Sequence, residues 1–194
     1  MHAMKQIFIF LLLTFISNCY SQKQSNFDVS QYEGIDLSGN RVVLSELLVR
    51  RLAINVYAPT CIPCVKEIPA LNYLFQEVKK DKSLAFYMVV DPYDIVPEAE
   101  TTSKFEELLP KAKAIMEKEV LEKKIELPIL IMKRPFRVSQ GDGLITGRPE
   151  TLLFKTKPLI LYYNFIGPIS EEKELKLIEN ENKVKFFKLM LGGV

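Results

Sequence analysis

The chain has 194 residues, 48% of them apolar and 26% charged, with one histidine, three cysteines and no tryptophan. That is the length of one domain, or one domain with a short tail, and its composition excludes disorder throughout. Lysine plus arginine exceeds aspartate plus glutamate by 26 − 24 = +2, which is too little for a nucleic-acid footprint.

His2 and Lys5 stand ahead of the apolar run Ile7 to Ile16. Ten residues suit the core of an export signal and are short for a bilayer span. Residues 1–21 are therefore expected to be a signal. Cleavage after Ser21 leaves Cys19 and Ser21 as the small residues that signal peptidase requires. In the competing route Ile16-Ser17-Asn18-Cys19 acts as a lipobox, and Cys19 becomes the acylated first residue and a membrane attachment. An uncleaved anchor is the third possibility. Cleavage removes His2 and Lys5, so the net charge becomes (26 − 1) − 24 = +1. The mature chain then has no imidazole for Ser-His-Asp or Cys-His hydrolysis, for histidine-ligated zinc or for haem. Export places the remaining pair, Cys61 and Cys64, in an oxidising compartment.

Residues 22–31 are polar and expected to form a flexible lead-in. Residues 32–47 predict a hairpin turning at Ser38-Gly39-Asn40, followed by one helical turn at Ser45 to Leu48. Leu52 to Tyr57 suits a strand buried on both faces. Residues 61–80 carry apolar side chains at helical spacing, at 62, 65, 68, 71, 74, 75 and 78, and close on Lys79, Lys80 and Lys82. Leu84 to Val90 is the next strand. Residues 101–125 predict one long amphipathic helix or two short ones, capped by Thr102 or Ser103 and broken or kinked at Pro110. Pro128 to Met132 is a buried strand, and 133–147 is loop with at most one helical turn. Glu150 to Lys155 and Leu159 to Asn164 are strands joined through Pro158. A last helix is expected from Ser170 to Leu191. Alternating strands and helices, then two adjacent strands, predict an α/β domain over 32–194 with a mixed sheet flanked by helices.

Cys61-Ile62-Pro63-Cys64 falls between a buried strand and an amphipathic helix. A sulfur there meets unpaired backbone N–H groups and the positive end of the helix dipole, which lowers its pKa and makes it a nucleophile. Pro63 is tolerated because the first turn has N–H groups to spare. Two intervening residues let the sulfurs meet, so the pair can cycle between dithiol and disulfide. A structural disulfide and a two-thiolate Cu(I) site use the same residues. Zinc would need two further ligands that the mature chain lacks.

The stretch from Ile54 to Leu71, INVYAPTCIPCVKEIPAL, resembles the active-site segment of the thioredoxin superfamily, in particular the exported TlpA-like thiol–disulfide oxidoreductases, which include the cytochrome c maturation reductases. Asn55-Val56-Tyr57-Ala58 stands where that family has Asn-Phe-Trp-Ala. Glu67 stands three residues after Cys64, and Pro69 five. Thr146 to Phe154 resembles the cis-proline segment, and the leading hairpin resembles the family's N-terminal extension. The likeness covers roughly residues 32–190.

The resemblance implies a thioredoxin-like fold with an insertion before the cis-proline segment. Cys61 would attack and Cys64 would resolve. Glu67 would move the proton on or off Cys64. Pro149 would be cis, with neighbouring backbone pairing an extended substrate. Substrate would be met by Pro149, Arg148, Thr60 and Tyr57. No cofactor or metal is implied beyond the redox-active disulfide. The implied partners are a disulfide-bearing protein substrate and an upstream membrane thiol reductase, in the periplasm; no nucleic acid is implied. Two positions depart from the family. Thr60 replaces the aromatic residue before the first cysteine, and could hydrogen-bond near the sulfur or cap the helix. Arg148 replaces a small uncharged residue, and could face the thiolate, an acidic substrate or, as slightly favoured, solvent. The reading is an exported protein-disulfide reductase; a non-catalytic Cu(I)- or protein-binding module is the alternative.

Overall fold

The computed structural model describes residues 28–139 and 143–192. The expectations for residues 1–27, signal and Cys19 included, lie outside the described residues. Seven strands are present among the described residues: β1 (Glu33–Asp36), β2 (Arg41–Val43), β3 (Arg51–Val56), β4 (Leu84–Val90), β5 (Ile129–Met132), β6 (Glu150–Lys155) and β7 (Ile160–Ile166). The helices are α1 (Ile62–Val78), α2 (Pro92–Ile95), α3 (Phe105–Lys123), α4 (Leu175–Asn180) and α5 (Asn182–Leu191).

The strands form one mixed sheet in the order β2-β1-β5-β4-β3-β6-β7. β3, β4 and β5 are parallel neighbours, whereas β6 pairs antiparallel with β3 and with β7. The hairpin β1–β2 joins antiparallel to β5 and extends that side of the sheet. Its turn needs Gly39, whose φ of 92° is costly for a residue with a Cβ.

The period-2 geometry of β3 sorts its side chains into two cores. Ala53 and Tyr57 face a core shared with the buried residues of α1, α3, α4 and α5, while Leu52, Ile54 and Val56 face a second core. This second core includes Val29, Tyr32, Leu44, Met132 and Phe136. The domain therefore begins before residue 32: Asp28 caps a 3-10 turn over Val29–Gln31, and Val29 is buried. At least this end of the expected lead-in is packed, because an apolar Val29 beside Tyr32 and Phe136 gains more by burial than by solvation.

Other expectations are corrected or narrowed. α3 runs through Pro110 and starts at Phe105 after an N-cap, Lys104, that makes no side-chain hydrogen bond. Ser103 is committed to the preceding turn, where its Oγ accepts from Glu100 N at 3.0 Å. The C-terminal helix is two helices preceded by irregular chain, because Glu181 takes φ −59°, ψ 132° and interrupts the ladder. Loop 133–147 contains a bridge between Val138 and Ile145 and no helical turn among its described residues. Ile62, counted in the apolar stripe of α1, is in fact 70% exposed.

Candidate active site

β3 delivers the chain to the rim of the sheet, where Ala58 O accepts Cys61 N–H at 3.0 Å and turns it into α1. Cys61 is the N-cap, with extended φ/ψ, and its Sγ accepts from Cys64 N at 3.3 Å. Thr60 is therefore not the cap. It is exposed beside Cys61, one residue too early to reach the orphan N–H groups of the first turn. Cys61 and Cys64 form a disulfide, with Cα atoms 5.2 Å apart. Cys64 is fully buried and Cys61 partly exposed. An incoming nucleophile thus reaches Cys61 first.

The open side of Cys61 faces a cleft of about 620 Å³, lined also by Thr60, Ile62, Pro63, Asp94, Val138, Gly147 and Arg148. The Arg148–Pro149 peptide is cis, as are Arg134–Pro135 and Lys157–Pro158. Pro149 is buried, and its carbonyl accepts Gly167 N–H at 3.0 Å, so this segment meets the cleft through Gly147 and Arg148. Arg148 is an exposed residue at the rim of this cleft, and it is also ion-paired. Its Nη1 donates to Asp94 Oδ2 at 2.8 Å, with both side chains about 30% exposed. The cation in the cleft is thereby matched by an anion.

Tyr57 is turned away from any substrate. It is 1% exposed, and its hydroxyl donates to Glu119 of α3 at 2.6 Å. The strand's pleat directs it into the core, so the expected surface role is corrected to an internal tie between β3 and α3. Burial, together with the neighbouring Glu119 carboxylate, pushes its phenol pKa well up.

Beneath the disulfide lies a buried polar group. Glu67 follows Cys64 by three residues and so shares its helix face one turn on. The carboxylate is fully buried, unlike a typical second-turn glutamate. Its Oε1 accepts Ile169 N–H at 2.6 Å, and its Oε2 accepts from Asn55 Nδ2 at 3.2 Å. Asn55 Nδ2 also donates to Thr151 Oγ1 at 2.9 Å. Burial pushes the Glu67 pKa up to about 7, against the opposing pull of these two donors and of Lys183. The carboxyl can therefore be protonated or ionised near neutral pH, which is what proton exchange with a thiol requires.

A second charged group supports the rim. Asp91 is buried at the end of β4 and caps α2 through Tyr93 N at 3.0 Å. Arg134 reaches it at 3.3 Å and lies 4.1 Å over the Tyr93 ring. Burial pushes the Asp91 pKa up to about 6, with Arg134 opposing.

Sequence reasoning missed Asp94, Glu119 and the roles of Asn55 and Thr151. Asp91-Pro92 carried a usable signal, since an N-cap aspartate followed by proline at N1 marks a helix start and would have placed Asp94 in its first turn. Nothing local marks Glu119 or Thr151, which arrive by tertiary packing. Among the described residues no cluster of three His, Cys, Asp or Glu could hold a metal.

No protein-family model matches the chain, and no characterised protein matches it in sequence. Solved structures do match. StoA from Bacillus subtilis aligns at TM-score 0.50 and 16% identity, over 77% of this chain and 96% of its own. A proposed thiol-disulfide oxidoreductase from Bacteroides vulgatus aligns at TM-score 0.50 and 19% identity, over 89% of this chain and 93% of its own. A thiol:disulfide interchange protein of the thioredoxin family from Chlorobium tepidum TLS aligns at TM-score 0.48 and 16% identity, over 77% and 91%. The fold is thioredoxin-like. Within it the β3–α1 junction carries the disulfide, and the cis-Pro149 segment and α2 supply Gly147, Arg148 and Asp94 to the cleft beside it. The N-terminal hairpin joins the sheet at β5, and α2 and α3 lie between β4 and β5.

Proposed function

We propose that the protein is an exported thiol–disulfide oxidoreductase that reduces disulfides of secreted or periplasmic proteins. One observation carries the reading: a partly exposed sulfur, Cys61, caps a helix beside an open cleft, disulfide-bonded to a buried sulfur, Cys64, that shares a helix face with the buried acid Glu67. In the dithiol form the Cys61 thiolate attacks one sulfur of a substrate disulfide. The substrate's other sulfur leaves as a thiolate and takes up a proton. Cys64 loses its proton to the Glu67 carboxylate and attacks Cys61 Sγ. The mixed disulfide breaks, the substrate departs reduced, and the Cys61–Cys64 disulfide re-forms. Two electrons pass from the enzyme dithiol to the substrate. An upstream membrane thiol reductase returns them, and Glu67 returns its proton to Cys64. No other cofactor enters.

The helix N-terminus supports Cys61 as the attacking sulfur, because the same N–H that bonds its Sγ would favour a thiolate. The open cleft supports a polypeptide substrate, with Thr60, Gly147 and Arg148 meeting it. Export rests on the apolar run at residues 7–16. The test is dithiothreitol-driven reduction of insulin by the purified protein. The wild type is expected to accelerate it and Cys61→Ser to abolish the acceleration. Undiminished activity in Cys61→Ser would sink the mechanism. Stoichiometric Cu(I) uptake without turnover would instead favour a binding module.

A further inference from the structure

We propose that Asn55 is a positioning residue whose amide turns end for end as Glu67 gains or loses its proton, so that one side chain satisfies both forms of the acid. Asn55, Glu67 and Thr151 are all fully buried. Asn55 on β3 stands opposite Thr151 on β6 in the antiparallel register, on the face that packs against α1. Asn55 Nδ2 supplies a hydrogen to Glu67 Oε2 at 3.2 Å and another to Thr151 Oγ1 at 2.9 Å. Asn55 Oδ1, also buried, has no partner. An unpaired buried carbonyl is costly, of order 1–3 kcal/mol, and calls for an explanation.

The arrangement matches an ionised Glu67, which only accepts. It fails for the neutral acid. Ile169 N–H occupies Oε1, so the acid's proton belongs on Oε2, where it would meet the hydrogens of Asn55 Nδ2. A half-turn about the last side-chain bond of Asn55 removes the conflict. Oδ1 then accepts from Glu67 Oε2–H and, once the hydroxyl rotates, from Thr151 Oγ1–H. Its two lone pairs match two donors, just as its two hydrogens matched two acceptors. The two ends of the amide are nearly equal in shape, so the turn asks little of the packing; it exchanges an unpaired Oδ1 for an unpaired Nδ2, so one end of the amide is unpaired in either orientation, and the hydroxyl rotates freely between donor and acceptor. The other groups facing Glu67 cannot serve both forms. Ile169 N–H only donates, the Lys183 ammonium is held by Pro168 O at 2.9 Å, and Glu171 is itself an anion.

The amide turn is a property of the Glu67 site in either redox state. Its catalytic consequence, cheap proton exchange with Cys64, rests on the function proposed above. The experiment is NMR of the intact disulfide protein with ¹⁵N-labelled asparagine and ¹³C-labelled glutamate, titrated between pH 5 and 9. The Glu67 carboxyl carbon reports its own ionisation. At high pH the Asn55 amide hydrogens should give cross-peaks to Thr151 and Glu67. These should vanish at low pH with the same midpoint as the carboxyl carbon. In Glu67→Gln, Ile169 N–H must keep the carboxamide oxygen, so the Gln nitrogen faces Asn55 and should hold it in the low-pH orientation at every pH. Cross-peaks that persist through the Glu67 titration, or that remain in Glu67→Gln, would overturn the inference. A turning amide in a protein whose Glu67→Gln variant reduces insulin at the wild-type rate would leave the inference standing and remove Glu67 from the proposed mechanism.

Discussion

At the scale of single residues, the burial of Glu67 costs stability. An ordinary glutamate titrates at 4.5, whereas this one is pushed up to about 7 by burial. Below pH 4.5 it is neutral in both folded and unfolded chains, and its burial carries no ionic cost. Between 4.5 and 7 the folded protein keeps a proton that the unfolded chain has lost, so raising the pH removes stability. Above 7 the loss is complete, at about 3 kcal/mol for a shift of this size. Glu67→Gln keeps the neutral shape and is expected to flatten this part of the profile, gaining on the wild type as the pH rises from 5 to 8. Urea denaturation at the two pH values checks it, and parallel wild-type and variant profiles would contradict it. The comparison isolates Glu67, because Asp91, also raised by burial, is present in both proteins. A stability cost of this size is in keeping with the proton-exchange role proposed for Glu67.

At the scale of elements, the prolines show how far tertiary packing overrides propensity. Pro110 lies within α3, where it removes the bond to the Glu106 carbonyl, yet the helix continues. Both residues are exposed, so water takes the orphaned carbonyl, while Leu108, Ala112 and Met116 on the opposite side bury the helix against the core. A proline in a helix interior costs up to about 3 kcal/mol relative to alanine. Its stiffening of the unfolded chain returns about 1 kcal/mol at most. Pro110→Ala is therefore expected to stabilise the protein by about 1–2 kcal/mol, seen as a higher denaturation midpoint, and a lower midpoint would refute it. Strands β4 and β6 were legible to the residue, at Leu84–Val90 and Glu150–Lys155: β4 is an unbroken apolar run ending at Asp91, and β6 centres on Leu152-Leu153-Phe154 between polar residues. The split of the C-terminal helix was not. It falls at the extended Glu181, next to Asn180, whose Nδ2 bonds back to Lys176 O at 2.8 Å, and apolar periodicity registers neither. The candidate site divides along the same line. Cys61, Cys64 and Glu67 sit on one helix, where spacing alone brings them together. Asn55, Thr151 and Asp94 come from three other elements, and only the assembled sheet places them.

At the scale of the whole molecule, the disulfide is linked to folding, and the linkage gives the direction of electron flow a thermodynamic test. Whatever stabilises the Cys61 thiolate stabilises the reduced protein and makes it more oxidising. Two groups act that way here: the helix N-terminus at Cys61, and Arg148 across the cleft. Asp94 opposes the second by pairing with Arg148 at 2.8 Å, and Cys64 is buried away from both solvent and cation. With the cleft cation already matched, the thiolate of the proposed reductase would gain little beyond the helix terminus. The oxidised protein is thus expected to resist denaturant better than the reduced one, the signature of a reductant. Asp94→Asn frees Arg148 to face the thiolate and should narrow that gap while raising the midpoint potential, by about 30 mV for each 1.4 kcal/mol. Unfolding curves with and without dithiothreitol, alongside potentials from glutathione equilibration, measure both quantities on the same samples. A reduced protein more stable than the oxidised one would reverse the proposed direction and make the molecule a disulfide donor, with the same residues in the same places.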